Sequence, residues 1–320
     1  MSVLGLSEWA NRGGGMDGAG AGVAVGGADV WTPAERDLTR HQADELGAAQ
    51  QQTECANPEC AGGWRKLWRG GRLYFEGEWV CGMECLRRAM AGALRRELGD
   101  TALPMQQGMG GHRHRVPLGL VLLAQGWITH PQLQRALEAQ KRAGQGRIGT
   151  WLQTECGIEE RKVTRGLSLQ WNCPVFSMDG FEPAAMARVV PRALVERLRL
   201  LPLRLAGKTA GGRRLLYMAF EDQRDAAAEF ALERMLGVQV ESGLVDGSRF
   251  KAAYRRLLES RFGVETTRCE ESFDGLVEAA ARTVERVKPR ESRLVRVHGC
   301  YWLRMWTTDG GTEDCLLTLA

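Results

Sequence analysis

The chain has 320 residues, 44% hydrophobic and 26% charged, with a formal net charge of +4. That length and balance describe two or three compact globular units and exclude fibrous, collagenous and membrane classes. The opening MSVLGLSEWANRGGG has no basic segment leading into an apolar run, and the apolar stretch near Leu118 to Ala124 is too short for a bilayer. The expectation is a cytoplasmic protein without membrane insertion, whose nine cysteines are thiols rather than a disulfide framework.

Residues 1–30 are rich in Gly and Ala and offer too little bulky apolar surface to offset the entropy of ordering, which predicts a disordered tail. Order is expected from Thr32-Pro33-Ala34-Glu35, a capping pattern that opens a polar helix to about Gln52. Within a unit at 31–102, Cys55 and Cys60 are separated by four residues, Cys81 and Cys85 by three, and the pairs by twenty. Two close cysteine pairs deliver the four soft ligands that a tetrahedral Zn²⁺ requires, and four thiolates leave no open position for a catalytic water. The predicted role is structural zinc. A knuckle, a hairpin around Gly70-Gly71, the second pair and the helical LRRAMAGALRREL resemble a treble-clef zinc finger. Arg65, Lys66, Arg69 and Arg72 among Trp64, Trp68 and Tyr74 offer phosphate contacts and stacking, which leaves a nucleic-acid reading open. Residues 103–114 read as a linker, and their His112 and His114 add nothing that four cysteines lack.

A 24-residue pattern then occurs twice, as PLGLVLLAQGWITHPQLQRALEAQ from Pro117 and RIGTWLQTECGIEERKVTRGLSLQ from Arg147. The copies share Gly119 and Gly149, Leu122 and Leu152, Ile128 and Ile158, Leu133 and Val163, Leu137 and Leu167, and Gln140 and Gln170. Each copy predicts a short apolar helix, a glycine turn and a second amphipathic helix. Thr129 with Gln132 forms a capping box, and Leu133, Ala136, Leu137 and Gln140 share one face. From His112 to Gln170 nine Arg or Lys face four Glu, which makes this the basic part of the chain. A tandem unit of this kind suits a ligand that is itself nearly two-fold symmetric. Gly119 and Gly149 leave room for such a ligand to reach the backbone, and a tight helix contact explains them equally well.

Beyond Trp171, strands are expected at 200–205, 213–220 and in VQVESGLV, with helices in DAAAEFALERML and SRFKAAYRRLLESRF, which together make a small α+β unit. The remainder predicts a helix from Glu270 to Val287, with Phe273, Leu276, Ala280, Val284 and Val287 on one side. Two or three strands follow, joined by the DGG turn at 309–311. No chemistry attaches to that end.

The repeat R-L-G-x-x-L-x-x-x-G-x-I-x-x-x-x-L-x-x-x-L-x-x-Q resembles the MshEN domain, found at the N-terminus of type II secretion and type IV pilus assembly ATPases and a binder of cyclic di-GMP. The stretch to about Leu258, including VVPRALVERLRLLPLRL and FKAAYRRL, is similar to the rest of that N-terminal domain. The resemblance implies that each copy holds half of the dinucleotide through its leading Arg, the backbone beside its Gly, its apolar positions and its last Gln. Carried over, the site comprises Arg115, Leu118, Gly119, Leu122, Gly126, Ile128, Leu133, Leu137 and Gln140 with Arg147, Ile148, Gly149, Leu152, Gly157, Ile158, Val163, Leu167 and Gln170. Two departures stand out: Pro117 takes the leading position, with Arg115 two residues earlier, and Cys156 takes the tenth, with Gly157 next to it.

A phosphate-binding loop needs Gly, four residues, Gly-Lys and Ser or Thr, and the one Gly-Lys-Thr, at 207–209, has Pro202 in place of the first Gly. The GGTED at 310–314 has too little chain around it for a diguanylate cyclase, and Cys173 has no nearby His in sequence to activate it. The expected whole is an α+β, non-catalytic protein with a zinc-finger-like module at 31–102, an MshEN-like domain at 115–260 and a C-terminal extension at 261–320. It would act as a cyclic di-GMP-binding regulator or adaptor with a protein partner in a secretion or pilus system. The alternatives are a ligand-independent docking module and a zinc-dependent nucleic-acid binder.

Overall fold

The computed structural model describes residues 55–60, 73–100, 115–208, 212–221 and 224–320. The expected tail, the helix from Thr32, the run from Trp64 to Arg72, the linker at 103–114 and Thr209 of the Gly-Lys-Thr match lie outside those residues. Among the described residues no helix is long and apolar enough to cross a membrane.

The first unit is an antiparallel hairpin, β1 (Leu73–Phe75) and β2 (Glu78–Val80), followed by helix α1 (Met83–Asp100). The tandem repeat forms α2 (Leu118–Ala124), α3 (His130–Ala143), α4 (Ile148–Cys156) and α5 (Glu160–Trp171). Thr129 and Gln132 make the expected capping box at the start of α3. Their own core gathers Leu118, Leu122, Ile128, Leu133, Ala136, Leu152, Ile158 and Val163.

Short helices α6 (Pro183–Met186) and α7 (Arg192–Leu198) lead into β3 (Leu200–Lys208), β4 (Arg214–Phe220), α8 (Ala226–Leu236), β5 (Gln239–Gly243) and α9 (Gly247–Leu258). The sheet runs β3-β4-β5, with β3 antiparallel and β5 parallel to β4, as a crossover through α8 requires.

The C-terminal part contains β6 (Val264–Glu270), α10 (Phe273–Val287), β7 (Glu291–Val297), β8 (Cys300–Trp306) and β9 (Thr312–Leu319), in sheet order β6-β9-β8-β7. The helix begins three residues later than its expected start because β6 takes Val264–Glu270 and Ser272 caps it, accepting from Gly275 N at 3.0 Å. Of the two or three strands expected after that helix, the structure has three, β7, β8 and β9.

Strands β7, β8 and β9 of this sheet are buried on both faces. Leu294, Tyr301, Leu303, Met305, Cys315 and Leu317 pack with α1, α10 and the β1–β2 hairpin, while Val295, Trp302, Trp306 and Leu316 join the core of the preceding α+β unit. The alternation along β8 follows from the two-residue period of a strand. The segments read from sequence as an N-terminal module and a C-terminal extension therefore share one hydrophobic core.

Polar groups tie the same junctions. Arg304 grips Asp314 on the neighbouring strand with two bonds of 2.8 Å, donates to the Val189 carbonyl at 2.8 Å, and lies 3% exposed. Trp302 Nε1 donates to the same carboxylate at 2.7 Å. Glu97 of α1 accepts from both terminal nitrogens of Arg234 and from the Arg296 backbone N–H. The repeat unit attaches more sparingly: Ser248 N at the start of α9 donates to Glu160 Oε1 of α5 at 2.8 Å, and Phe176 N donates to the Leu244 carbonyl at 2.7 Å.

Candidate functional site

The two repeat copies pack crosswise, α3 of the first on α4 of the second and α2 of the first on α5 of the second. Reciprocal hydrogen bonds follow from that arrangement. Gln140, the last residue of the first copy, donates from Nε2 to the carbonyl of Gly146, the residue immediately before the second copy, at 2.7 Å. Gln170, the last residue of the second, donates to the carbonyl of Val116, the residue immediately before the first, also at 2.7 Å. Each copy thus clasps the other's start through the same side chain at the same register.

Two exposed arginines sit beside these clasps. Arg147 directly follows Gly146 and is the N-terminal cap residue of α4; Arg115 directly precedes Val116. The Arg115 guanidinium carbon lies 3.5 Å from the ring centroid of Trp171, the residue after Gln170. Leu137 is 47% exposed rather than on the buried stripe, which runs through Leu133, Ala136 and Ala139, and Val116, Leu120 and Leu169 are exposed as well. Apolar side chains and arginines therefore share the surface of the helical unit.

Among the other expected site residues, Leu118, Gly119, Leu122, Ile128, Leu133, Gly149, Leu152, Ile158 and Val163 are buried, and Ile148, Leu167 and both glutamines are half-buried. The two equivalent glycines have a packing role. A Cβ on Gly119 would lie 2.5 Å from Leu133 Cδ1, and one on Gly149 would lie 2.8 Å from Val163 Cγ1, the same partner position in each copy. The Cys156 departure is also accommodated. Gly126 (φ +67°) turns the chain in the first copy and Gly157 (φ +64°) in the second, while Leu122 and Leu152 carbonyls accept from Trp127 N and Ile158 N at 3.0 and 3.1 Å. The helix is longer in the second copy and the left-handed residue moves on by one.

Cys173 is half-buried, and burial pushes its thiol up to about 11, the opposite of an activated nucleophile.

Cys55, Cys60, Cys81 and Cys85 form a second cluster, with every Sγ within 4.8 Å of the others. Cys60–Cys81 and Cys81–Cys85 are 3.4 and 3.7 Å apart. Four thiolates about 2.3 Å from one central cation stand ~3.8 Å apart, so the cluster fits a tetrahedral zinc site. Local structure explains the convergence. Asn57 Oδ1 accepts from Glu59 N and its carbonyl from Cys60 N, which closes the first turn. Ala56 N donates to the Trp79 carbonyl at 3.1 Å, laying that turn beside β2, and Cys85 falls in the first turn of α1. Asn57 Nδ2 lies 3.2 Å from Cys85 Sγ. Burial and the neighbouring sulfurs push the Cys81 thiol up to about 12.

Over 140 residues the chain is 29% identical to the type IV pilus assembly ATPase PilB of Myxococcus xanthus (strain DK1622), a match that covers 43% of this chain and 24% of PilB. A solved structure of MshE with cdg aligns with 45% of this chain and 99% of its own at 25% identity and a TM-score of 0.35. The N-terminal domain of XpsE aligns with 43% of this chain and 92% of its own at 17% identity and a TM-score of 0.29. The chain spans about a quarter of the length of the curated relative it matches. No family model matches it.

Two features of this site escape a sequence reading. Trp171 stands one residue beyond the repeat, and its partner Arg115 is more than fifty residues earlier, a separation without a local signature. The bond from Glu160 to the start of α9 is equally long-range.

Proposed function

We propose that residues 115–260 form a cyclic di-GMP-binding regulatory module of a secretion or pilus system, acting by binding rather than by turnover. The observation that carries this reading is the reciprocal clasp: two equivalent glutamines, each fixed on the backbone next to an exposed arginine, make two like half-sites from one chain. A ligand with two guanine nucleotides related by near two-fold symmetry has the matching chemistry. Arg115 and Arg147 would donate to phosphate oxygens or guanine edges, and each such charge-assisted bond contributes about 1.5 to 3 kcal/mol. Each glutamine spends one N–H on the backbone and keeps its amide oxygen as an acceptor for a base edge. Leu137, Leu120 and Leu169 would cover the apolar base faces.

In the same reading, Cys55, Cys60, Cys81 and Cys85 hold Zn²⁺ as a structural ion. The protein would act as an adaptor whose partner belongs to the secretion or pilus machinery.

A ligand that binds only the folded state raises its melting temperature. A thermal-shift series with cyclic di-GMP, cyclic di-AMP and GTP should therefore show a rise for cyclic di-GMP alone, abolished by Arg147→Ala. No shift with any of the three favours the second reading, a ligand-independent docking module. The burial of the shared aliphatic positions in the repeat's own core and the packing role of Gly119 and Gly149 favour that alternative.

A further inference from the structure

We propose that Trp171 is a positioning residue that holds Arg115 in place of the arginine that Pro117 has displaced, and so completes the first half-site. This rests on the cyclic di-GMP reading above. In the second copy the leading position is Arg147, with φ −98° and ψ 145°; in the first it is Pro117, with φ −53° and ψ 140°. The backbone is similar, but proline brings no cation and no N–H donor. The nearest arginine, Arg115, lies two residues upstream on an exposed segment, where a long side chain has rotamer entropy to lose on meeting a ligand.

Trp171 removes part of that cost in advance. It places its indole under the guanidinium at 3.5 Å. Stacking uses the face of the guanidinium, whereas its five N–H groups point outward in the plane, so the contact fixes the group without consuming its donors. The neighbouring bond from Gln170 to the Val116 carbonyl fixes the adjoining backbone. Two successive residues at the end of α5 thereby hold two successive residues ahead of α2.

The register of the repeat points the same way. In the first copy Lys141 stands where Trp171 stands in the second. The end that carries tryptophan faces the half-site whose arginine is displaced, and the end that carries lysine faces the half-site whose arginine is in its motif position.

Isothermal titration of the full chain with cyclic di-GMP tests this with Trp171→Leu, Trp171→Phe, Arg115→Ala and the double variant Trp171→Leu/Arg115→Ala. Loss of the indole should weaken binding about tenfold, while phenylalanine, which keeps a ring face, stays within about threefold of wild type. The double variant should bind no more weakly than Arg115→Ala alone, because tryptophan acts through the arginine. Binding by Trp171→Leu equal to wild type, or a further tenfold loss in the double variant, overturns the proposal while the parent function stands. A wild type that binds no cyclic di-GMP overturns both together. Melting curves identify a variant that has lost its fold, and if Trp171→Leu does so, a tenfold loss in Trp171→Phe contradicts the proposal and near wild-type affinity upholds it.

Discussion

Gly149 and Gly119 occupy the same place in the repeat, yet their substitution should not cost the same. The would-be Cβ of Gly119 meets the end of a leucine, Leu133 Cδ1, which can turn aside. That of Gly149 meets Cγ1 of Val163, a β-branched side chain in a helix with one strongly preferred rotamer. Overpacking costs about 1 to 3 kcal/mol, and replacing a helical glycine returns about 1 kcal/mol. Gly149→Ala should therefore lower stability by up to about 2 kcal/mol and Gly119→Ala by less, measured by urea unfolding. Equal effects would show that Val163 yields as easily as Leu133. The shared glycines and aliphatics were legible in the sequence because packing repeats with the motif. Whether those glycines face a ligand or a neighbouring helix depends on a contact fourteen residues away, and both roles fit the same letters.

Glu291 is a second residue with a measurable consequence. It is 1% exposed and accepts from Gly77 N with both oxygens at 3.0 and 3.1 Å, pinning the β1–β2 turn to β7. Burial pushes its carboxyl up to about 7, against which Arg293 and the Gly77 N–H work. A carboxyl raised in the folded state binds its proton more tightly there than in the unfolded chain. Its contribution is fully present below about pH 4.5 and is lost as pH rises to about 7. The upper bound is roughly 3 kcal/mol from the size of the shift. Glu291→Gln should flatten the stability profile between pH 5 and 7; an unchanged slope would assign it to another group.

At the scale of elements, the helices of the repeat were readable from period and capping, down to the box at Thr129 and Gln132. Strand β6 was not, because Val264-Glu-Thr-Thr-Arg-Cys-Glu sits at a sheet edge and shows no clean alternation. The crosswise packing was equally hidden, since either copy could have closed on itself with the same pattern. Asp246 caps α9 without a side-chain bond, and the Glu160 carboxylate of α5 serves that helix start instead through Ser248. Glu160→Ala should remove about 1 kcal/mol of capping energy and raise hydrogen exchange in the first turn of α9. Unchanged exchange there would show that the repeat unit is not held at this point.

At the scale of the molecule, the C-terminal sheet joins the hairpin, α1 and α10 on one face to the preceding α+β unit on the other. The burial of β7, β8 and β9 on both faces could not be read from the chain because the contacts join residues as far apart as Gly77 and Glu291 or Glu97 and Arg296. The fold class was legible; the way the first and last segments merge was not. The cysteine cluster adjoins the same core as α1, α10 and one face of this sheet. A structural zinc site supplies on the order of 10 kcal/mol of apparent folding free energy. Removal of metal by a strong chelator should therefore melt the hairpin, α1, α10 and the C-terminal sheet in one transition, while the repeat helices, which have a separate core, unfold apart from it. Circular dichroism with hydrogen exchange resolves the two; zinc-free protein with the same melting curve would contradict a structural ion.

In the proposed site the crosswise clasp places two half-sites on one chain, which should take one ligand together. Titration of the full chain with cyclic di-GMP should give one molecule bound per chain, with Gln140→Ala and Gln170→Ala each weakening it by a similar factor. The absence of binding at high micromolar ligand, or affinity that depends on only one of the two glutamines, would contradict it.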